Sequence, residues 1–285
     1  MNPMLRQMRR TVCRVSPVAA SKIMYRKIMH KRANLLHPQT FNEKIQYLKL
    51  YELPKNPLAA ICADKYAVRE YVQEKGCGTY LNDLIGVWDR AEEIPWDSLP
   101  NQFAIKCNHG CTYNIICGDK KSLDIRQTAK KLNRWLKEDF YLNNAELHYK
   151  HIPRKIICEK YLGDKILDYK FFCFHGEPRY LYISQGLMHV DLKIGFFHFD
   201  GSVAPFHRMD YPALDIPIAM PENVPEMLDV CRRLSSDFKF ARIDLFSIEG
   251  RIYFSEITLT PAAGMMPLDP PGYDAQLGGL LEIER

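Results

Sequence analysis

The chain has no Gly-Lys dipeptide, so it has no Walker A loop. It has no Asp-x-Asp, the acid pair that many metal-dependent sugar-nucleotide transferases use, and that counts against sugar transfer. None of its apolar runs approaches the ~20 residues needed to span a bilayer. Arg14 and Ser16-Pro17 interrupt the only early stretch that could serve as a secretory core. The nine cysteines are an odd number without a Cys-x-x-Cys pair. Cys107, Cys111 and Cys117 are spaced poorly for zinc, and Cys158 and Cys173 lie inside apolar runs, so the thiols read as small core hydrophobes in a reducing cytoplasm. Outside the front end there is no basic-aromatic module, which argues against a nucleic-acid partner. Acid is missing from residues 1–42, which carry nine Lys and Arg, whereas the rest of the chain holds 30 basic and 34 acidic residues. A basic front end on an acidic body suggests contact with an anionic surface. A solvated helix with a loose end is the plainer account, and an Arg-rich, acid-free start also matches an organellar presequence.

What is present is a globular composition, 47% hydrophobic and 26% charged, with no repeats. It suffices for one large or two small cores. The most informative stretch runs from Ala241 to Thr258 and reads as two strands around a turn at Gly250. Alternation puts Arg242 and Asp244 on one face of the first strand, and Glu256 and Thr258 on one face of the second. Ile243, Leu245, Ile257 and Leu259 take the alternate positions. The two polar faces coincide if the loop has an odd number of residues. Asp244 and Glu256 then form a carboxylate pair beside an arginine, and hard oxygen ligands of that kind suit Mg²⁺ carrying a nucleotide phosphate. A surface hairpin with solvated charges is the alternative. A bare acid pair repels itself, so a neutral amide at either position is expected to leave the fold intact.

Helices are expected over 21–33, 40–53, 56–76, 122–140 and 225–238, with Thr40 and Glu43 forming a capping box. Strands are expected within 102–117, 154–162, 168–183 and 192–199, and loops over 77–100 and 205–225. Lys106 ends an apolar strand, where it needs an anion or a path to water. Backbone N–H groups of Asn108–Asn114 could cradle a phosphate, and His109 could donate to it when protonated; a plain turn explains the same residues. Glu159–Leu162 follows three apolar residues and could border a flat apolar slot. Asp168 and Lys170 share a strand face. Lys65 follows Asp64 inside a helical pattern, where a surface pair with neighbours such as Glu70 competes with any binding role.

Taken in order, Ala63-Asp64-Lys65-Tyr66, Phe103–Asn108, Ile156–Leu162, Asp168-Tyr169-Lys170 and the Arg-x-Asp, Glu-x-Thr hairpin resemble successive parts of ATP-grasp enzymes, in which Glu-x-Asn is the commoner ending. Gln39–Lys44, Lys106-Cys107-Asn108-His109-Gly110 and Asp168–Phe171 look like blocks of the TupA-like ATP-grasp family of cell-surface polysaccharide synthesis. The resemblance runs from about Phe41 to Gly264. It implies an α+β ATP-grasp fold in which two small sheet-containing subdomains clamp ATP behind a short, mostly helical N-terminal region. The expected parts are a helical region 1–100, a small lobe 101–160 and a large lobe 161–285 with the metal hairpin. By resemblance, Lys65, Lys106 and Lys170 hold the triphosphate, and His109 and Gly110 belong to the phosphate loop. Glu159, Lys160 and Leu162 border adenine, and Asp168 accepts from the ribose. Asp244, Glu256 and Thr258 hold Mg²⁺, and Arg242 is the catalytic arginine on the transferred phosphoryl group or acyl phosphate.

The implied activity is ATP- and Mg²⁺-dependent ligation of a carboxylate to an amine through an acyl phosphate. The implied substrate is a uronic acid or amino-acid unit of a surface polysaccharide. The rivals are an ATP-grasp kinase, a glycosyltransferase, and a non-catalytic nucleotide-binding partner of a synthase. The front third is short for a substrate domain. The implied partners are small carboxylates and amines, with a membrane leaflet or a glycan-synthesis complex at the basic front end. The implied place is the cytoplasm, peripheral to the inner face of the membrane.

Overall fold

Two antiparallel sheets carry the charged segments in the computed structural model, which describes residues 3–163, 166–185 and 192–283. Strands β1 (Leu84–Trp88), β2 (Phe103–Cys107), β3 (Asn114–Cys117) and β4 (Ile156–Lys160) form the first, in spatial order β1-β4-β2-β3. Strands β5 (Asp168–Phe174), β6 (Glu177–Gln185), β7 (Lys193–Phe197), β9 (Phe240–Ile248) and β10 (Arg251–Thr258) form the second, in the order β10-β9-β5-β6-β7. The two-residue strand β8 (His207–Arg208), inside the long 205–225 loop, pairs with β11 (Leu268–Asp269). The first sheet takes in β1, which lies within the region 1–100 that was expected to be helical.

The helices are α1 (Pro3–Val15), α2 (Pro17–Met29), α3 (Phe41–Tyr47), α4 (Pro57–Ala63), α5 (Val68–Glu74), α6 (Ile125–Leu136), α7 (Val224–Ser235) and α8 (Gly272–Gly279). Several bounds differ from the sequence expectation for local reasons. Ser16 caps α2 through the Ala19 N–H with Pro17 in the first position, so this helix starts earlier. The Thr40–Glu43 capping box is present, but the α-helix ends at Tyr47 and continues as a π-helical turn over Leu48–Glu52. Asp124, not Ser122, caps α6. The 56–76 helix is broken in two at Asp64.

Alternation sorts each sheet into a core face and a working face. In the first sheet Phe103, Ile105 and Cys107 are fully buried in one cluster with Leu132 and Trp135 of α6, while Ala104 and Lys106 look the other way. In the second sheet α7 packs on β5, β6 and β9. On the sheet's opposite face the Phe41 ring of α3 meets those of Phe172, Phe174 and Phe240 at 6.1, 5.9 and 5.1 Å. Those aromatics seal one end of that face and leave the other end to the charged residues. No helix among the described residues is long and apolar enough to cross a membrane.

Candidate functional site

The hairpin has an even loop, not an odd one. Glu249 and Gly250 alone connect the strands, both with positive φ (50° and 77°), the geometry of a tight two-residue turn. Ile248 pairs with Arg251, so an unbroken ladder would set Asp244 opposite Ser255. A β-bulge between Phe254 and Glu256 adds one residue and restores the register, Glu256 to Asp244 and Thr258 to Arg242. The carboxylates share a face because of the bulge.

These side chains form one bonded cluster. Arg242 Nε donates to Asp244 Oδ1 at 2.7 Å, and Nη2 donates to Asp244 Oδ2, Glu256 Oε1 and Thr258 Oγ1 at 2.6, 3.0 and 2.9 Å. The Thr258 hydroxyl donates to Glu256 Oε1 at 3.1 Å. On β5, Lys170 stands opposite Asp244 and donates to its Oδ2 at 3.0 Å while also contacting Asp168. Lys65 Nζ lies 3.4 Å from Glu256 Oε2. Three cations thus meet three acids in a recess where the Asp244 side chain is 1% exposed. Burial would raise the Glu256 carboxyl, but Lys65, Arg242 and Lys170 outweigh it and hold it down to about 2. Burial opposes charge on Lys65, Lys170 and Arg242, yet Glu256 for the first and Asp244 for the other two outweigh it, so all three titrate above their ordinary values.

Asp168 behaves oppositely. Burial, helped by Asp244 and opposed by Lys170, pushes its carboxyl up from 3.8 to about 6. Its Oδ1 and the Ser184 Oγ, its register partner on β6, are buried without hydrogen-bond partners. Unmet capacity of this kind suits a ligand hydroxyl. An acid whose folded pKa lies above its unfolded value costs the fold stability as pH rises between the two. Asp168→Asn is therefore expected to match the parent near pH 4 and to exceed it near pH 7 by at most about 3 kcal/mol, while binding nucleotide less well. Melting curves at both pH values check this, and a variant that gains nothing at the higher pH would refute it.

Lys65 owes its position to the broken helix. Asp64 leaves helical geometry (ψ 114°), and its carboxylate accepts from the Tyr66 and Ala67 N–H groups at 2.8 and 3.2 Å, starting α5. Asn108 fastens that break to the end of β2. Its Nδ2 donates to Asp64 Oδ1 and to the Pro153 carbonyl, both at 2.7 Å, and its own carbonyl accepts from Lys65 N at 3.1 Å. Lys65 therefore bridges the two sheets, anchored by its backbone to the first and by its ammonium to Glu256 in the second. Asn108 was not singled out in the sequence, although a buried amide beside a strand end needs partners.

Lys106 does not join this cluster. Its ammonium lies 2.6 Å from Glu159 Oε2, and Arg69 Nη1 lies 3.5 Å from the other oxygen. Arg69 also donates to the Asn82 carbonyl and so holds Glu159 from its other side. Lys160 is exposed and reaches Asp83 at 3.6 Å, while its carbonyl accepts from the Asn82 amide at 2.8 Å. Leu162 is half-buried just beyond β4.

His109 and Gly110 are core residues. Burial, with Arg154 adding, pulls the His109 imidazole down to about 4, so it is neutral at ordinary pH. Its Nε2 pairs with the Trp135 carbonyl at 3.1 Å and its ring lies 5.4 Å from that of Tyr113. The expected protonated phosphate donor is thus corrected to a packing histidine. A Cβ on Gly110 would lie 2.7 Å from the Phe140 ring and 2.8 Å from that of Tyr113, so this glycine serves close packing rather than an open cradle. His109→Phe is expected to cost about 1–3 kcal/mol by stranding the carbonyl, and nucleotide affinity should show no titration near about pH 6 to remove. Calorimetry across that range checks both. The exposed tip of this loop is Cys111 with Thr112 (φ 64°), beside Lys65 and Glu256. Cys107 and Cys117 are buried in the first core, which leaves no cysteine zinc site among the described residues.

The donor set fits a Mg²⁺–nucleotide. Among the described residues no group of three or more His, Cys, Asp or Glu is arranged to hold a metal alone. Mg²⁺ is ordinarily held by one or two carboxylates, completed by phosphate oxygens and water. Asp244 and Glu256 supply that pair, with the Thr258 oxygen next to them.

A protein-family profile described as TupA-like ATPgrasp matches residues 43–282. No curated protein matches the sequence. Among solved structures the chain is similar to D-alanine–D-alanine ligase from Bacillus anthracis, with 16% identity, a TM-score of 0.49, and coverage of 78% of this chain and 64% of that one. It is likewise similar to the Helicobacter pylori D-alanine–D-alanine ligase (16% identity, TM-score 0.49, 85% and 69% covered). A third is an L-amino acid ligase from Bacillus licheniformis (14% identity, TM-score 0.47, 82% and 57% covered). The chain thus spans just under two thirds of the first of these structures.

Proposed function

The chain belongs to the TupA-like ATP-grasp family, with its α+β fold, and from that premise we propose that it is an ATP-dependent carboxylate–amine ligase. The observation that carries the reading is the single cluster of Asp244, Glu256, Arg242, Lys170 and Lys65, held between two sheets by a lysine anchored to both. A triphosphate and its metal need that combination of close acids and cation donors.

ATP lies between the sheets in this reading. Lys65 and Lys170 turn from the carboxylates to phosphate oxygens, and Lys106 does so from Glu159. The linker from Glu159 to Leu162 borders the base, and Asp168 with Ser184 meets ribose hydroxyls through their unpartnered oxygens. Arg242 binds the phosphoryl group in transfer, because its planar fork can follow three oxygens at once. Mg²⁺ held by Asp244 and Glu256 would neutralise charge that develops on the phosphate oxygens. The substrate carboxylate becomes an acyl phosphate, and the amine displaces phosphate to leave an amide. Family membership supports a uronic acid or amino-acid unit of a surface polysaccharide as the carboxylate.

Incubation with Mg-ATP and pools of sugar acids and amino acids tests this. ADP with a new amide mass supports the ligase. ADP with a phosphorylated product transfers the site to a kinase, which uses the same cluster with a hydroxyl acceptor. A thermal shift with a sugar nucleotide and none with ATP would overturn the nucleotide assignment itself.

A further inference from the structure

Helix α1 keeps an apolar stripe outside the core. Cys13 is buried on its inner side, and on the same side Arg6, Arg10 and Arg14 bond to Glu138, Asn143 and Asp139 at 2.8, 3.1 and 3.3 Å, with Arg6 and Arg14 still about half exposed. The apolar side chains face the other way. Met4, Met8, Val12 and Val15 are all exposed, Met8 by 58% and Val15 by 84%. At about 100° per residue these four fall within an arc of about 80°. A helix in a globular protein ordinarily buries that stripe and solvates its arginines. This one ties Arg6 and Arg14 to the protein's own acids and Arg10 to an asparagine, and presents the stripe outward.

Helix α2 and the segment after it continue the pattern. Ile23 is 61% exposed, and Ile28 and Leu36 are exposed as well. Residues 3–36 thereby hold seven of the fourteen exposed large apolar side chains among the described residues. Ile23 sits on an exposed face with Lys22, Arg26 and Lys27, and Arg32 follows the helix. These four cations are exposed and make no ion pair among the described residues. No acid occurs before Glu43 to neutralise them.

We infer that α1 and α2 form an interfacial docking surface for an anionic phospholipid bilayer. Exposed apolar side chains among unpaired cations, on a segment with no acid of its own, are what a headgroup layer accommodates. The apolar stripe would enter the acyl boundary by about 5–10 Å while the cations meet phosphates. A second copy of the chain fits worse, since two faces of the same sign repel. The surface lies on the membrane and does not cross it, as no helix among the described residues is long or apolar enough. This inference does not depend on the ligase reading.

The test is co-sedimentation of the full chain with phosphatidylcholine vesicles, with and without phosphatidylglycerol. Binding is expected only with the anionic lipid, and it should weaken as salt rises. Met8→Ser combined with Val15→Ser, and separately Lys22, Arg26, Lys27 and Arg32 all changed to Gln, should each lower the partition at least about tenfold. Melting temperatures should be unchanged, because every one of these side chains is exposed. In a Val15→Trp variant the added indole should be quenched by brominated acyl chains. Failure to bind anionic vesicles, or equal binding to neutral ones, would overturn the inference. So would binding that survives both sets of substitutions. A concentration-dependent dimer that the serine variant abolishes, without vesicle binding, would overturn it in favour of self-association.

Discussion

Asp244→Asn and Glu256→Gln are each expected to lower turnover by about three orders of magnitude or more, because in the proposed reaction either change removes one of the two carboxylates that would hold the metal. An amide keeps the shape and one oxygen but loses the charge. Their effects on stability should differ from what an isolated acid pair implies. A bare pair would relax when one charge goes. Here the acids are matched by Lys65, Lys170 and Arg242, and Asp244 takes hydrogen bonds from two of them in a fully buried position. Asp244→Asn therefore leaves buried cations short of a partner and should cost about 1–3 kcal/mol. Glu256 is more open, at 28% exposure, so its loss should cost less. The pH dependence carries a sign of its own. Glu256 titrates at about 2 in the fold against an ordinary 4.5. Its contribution to stability is complete above about pH 4.5 and is lost as pH falls toward about 2, and Glu256→Gln should remove that acid-limb slope. Thr258→Ala should do less harm to turnover, since its hydroxyl bridges Arg242 and Glu256 without carrying charge. Turnover and melting temperature for the three variants decide the matter. Near-parental turnover in either acid variant would remove the metal role from the hairpin.

The hairpin was legible because alternation is a strong local rule. Ile243, Leu245 and Ile257 could only face a core, and that put Arg242 and Asp244 on the other side. The loop parity was not legible. Glu249-Gly250 is a good two-residue turn, and taken alone it would have set the acids on opposite faces. The bulge that corrects it sits at Ser255, a residue with no distinctive signature. The break at Asp64 had a local signal in the aspartate's ability to cap Tyr66 and Ala67, but the helical pattern on both sides outweighed it. What holds Lys65 against the second sheet is Glu256, 191 residues along the chain, and no local pattern reports such a distance. His109 failed for the same reason. Its partner is the Trp135 carbonyl on α6, and a polar residue in a loop reads as solvent-facing until the helix above it is placed. The basic front end was visible as composition, whereas the outward direction of the α1 stripe follows from three ion-pair and hydrogen-bond partners near residue 140.

Arg242→Lys should lower kcat about 10²–10³-fold with a smaller change in KM for ATP, because in the proposed reaction the lost contacts would be made to the group in transfer. The argument is geometric. The guanidinium serves four acceptors: both oxygens of Asp244, one of Glu256, and the Thr258 hydroxyl. A lysine ammonium keeps the charge but cannot span Asp244 in the two-pronged manner and still reach Glu256. The substitution should also destabilise. Asp244 would keep only Lys170 as a close partner, and Lys170 is already shared with Asp168. Breaking a buried pair costs about 3–5 kcal/mol when the charge is removed, and a lysine that retains the charge should bring this to the lower end or below. Where the charge itself is removed, as in Arg242→Ala, Glu256 loses one of the cations that hold its carboxyl down, so its titration moves up and the acid limb of stability begins at higher pH. A smaller variant, Arg242→Ala, leaves a gap lined by Asp244, Glu256 and Thr258 that free guanidinium could enter at millimolar concentration. Partial recovery of kcat by guanidinium, and not by methylammonium at equal ionic strength, would separate the planar fork from mere charge. If Arg242→Lys retained kcat within about tenfold of the parent, or if methylammonium rescued the alanine variant as well as guanidinium did, the phosphoryl role would pass to the lysines of the cluster and Arg242 would be left as the residue that holds two carboxylates together.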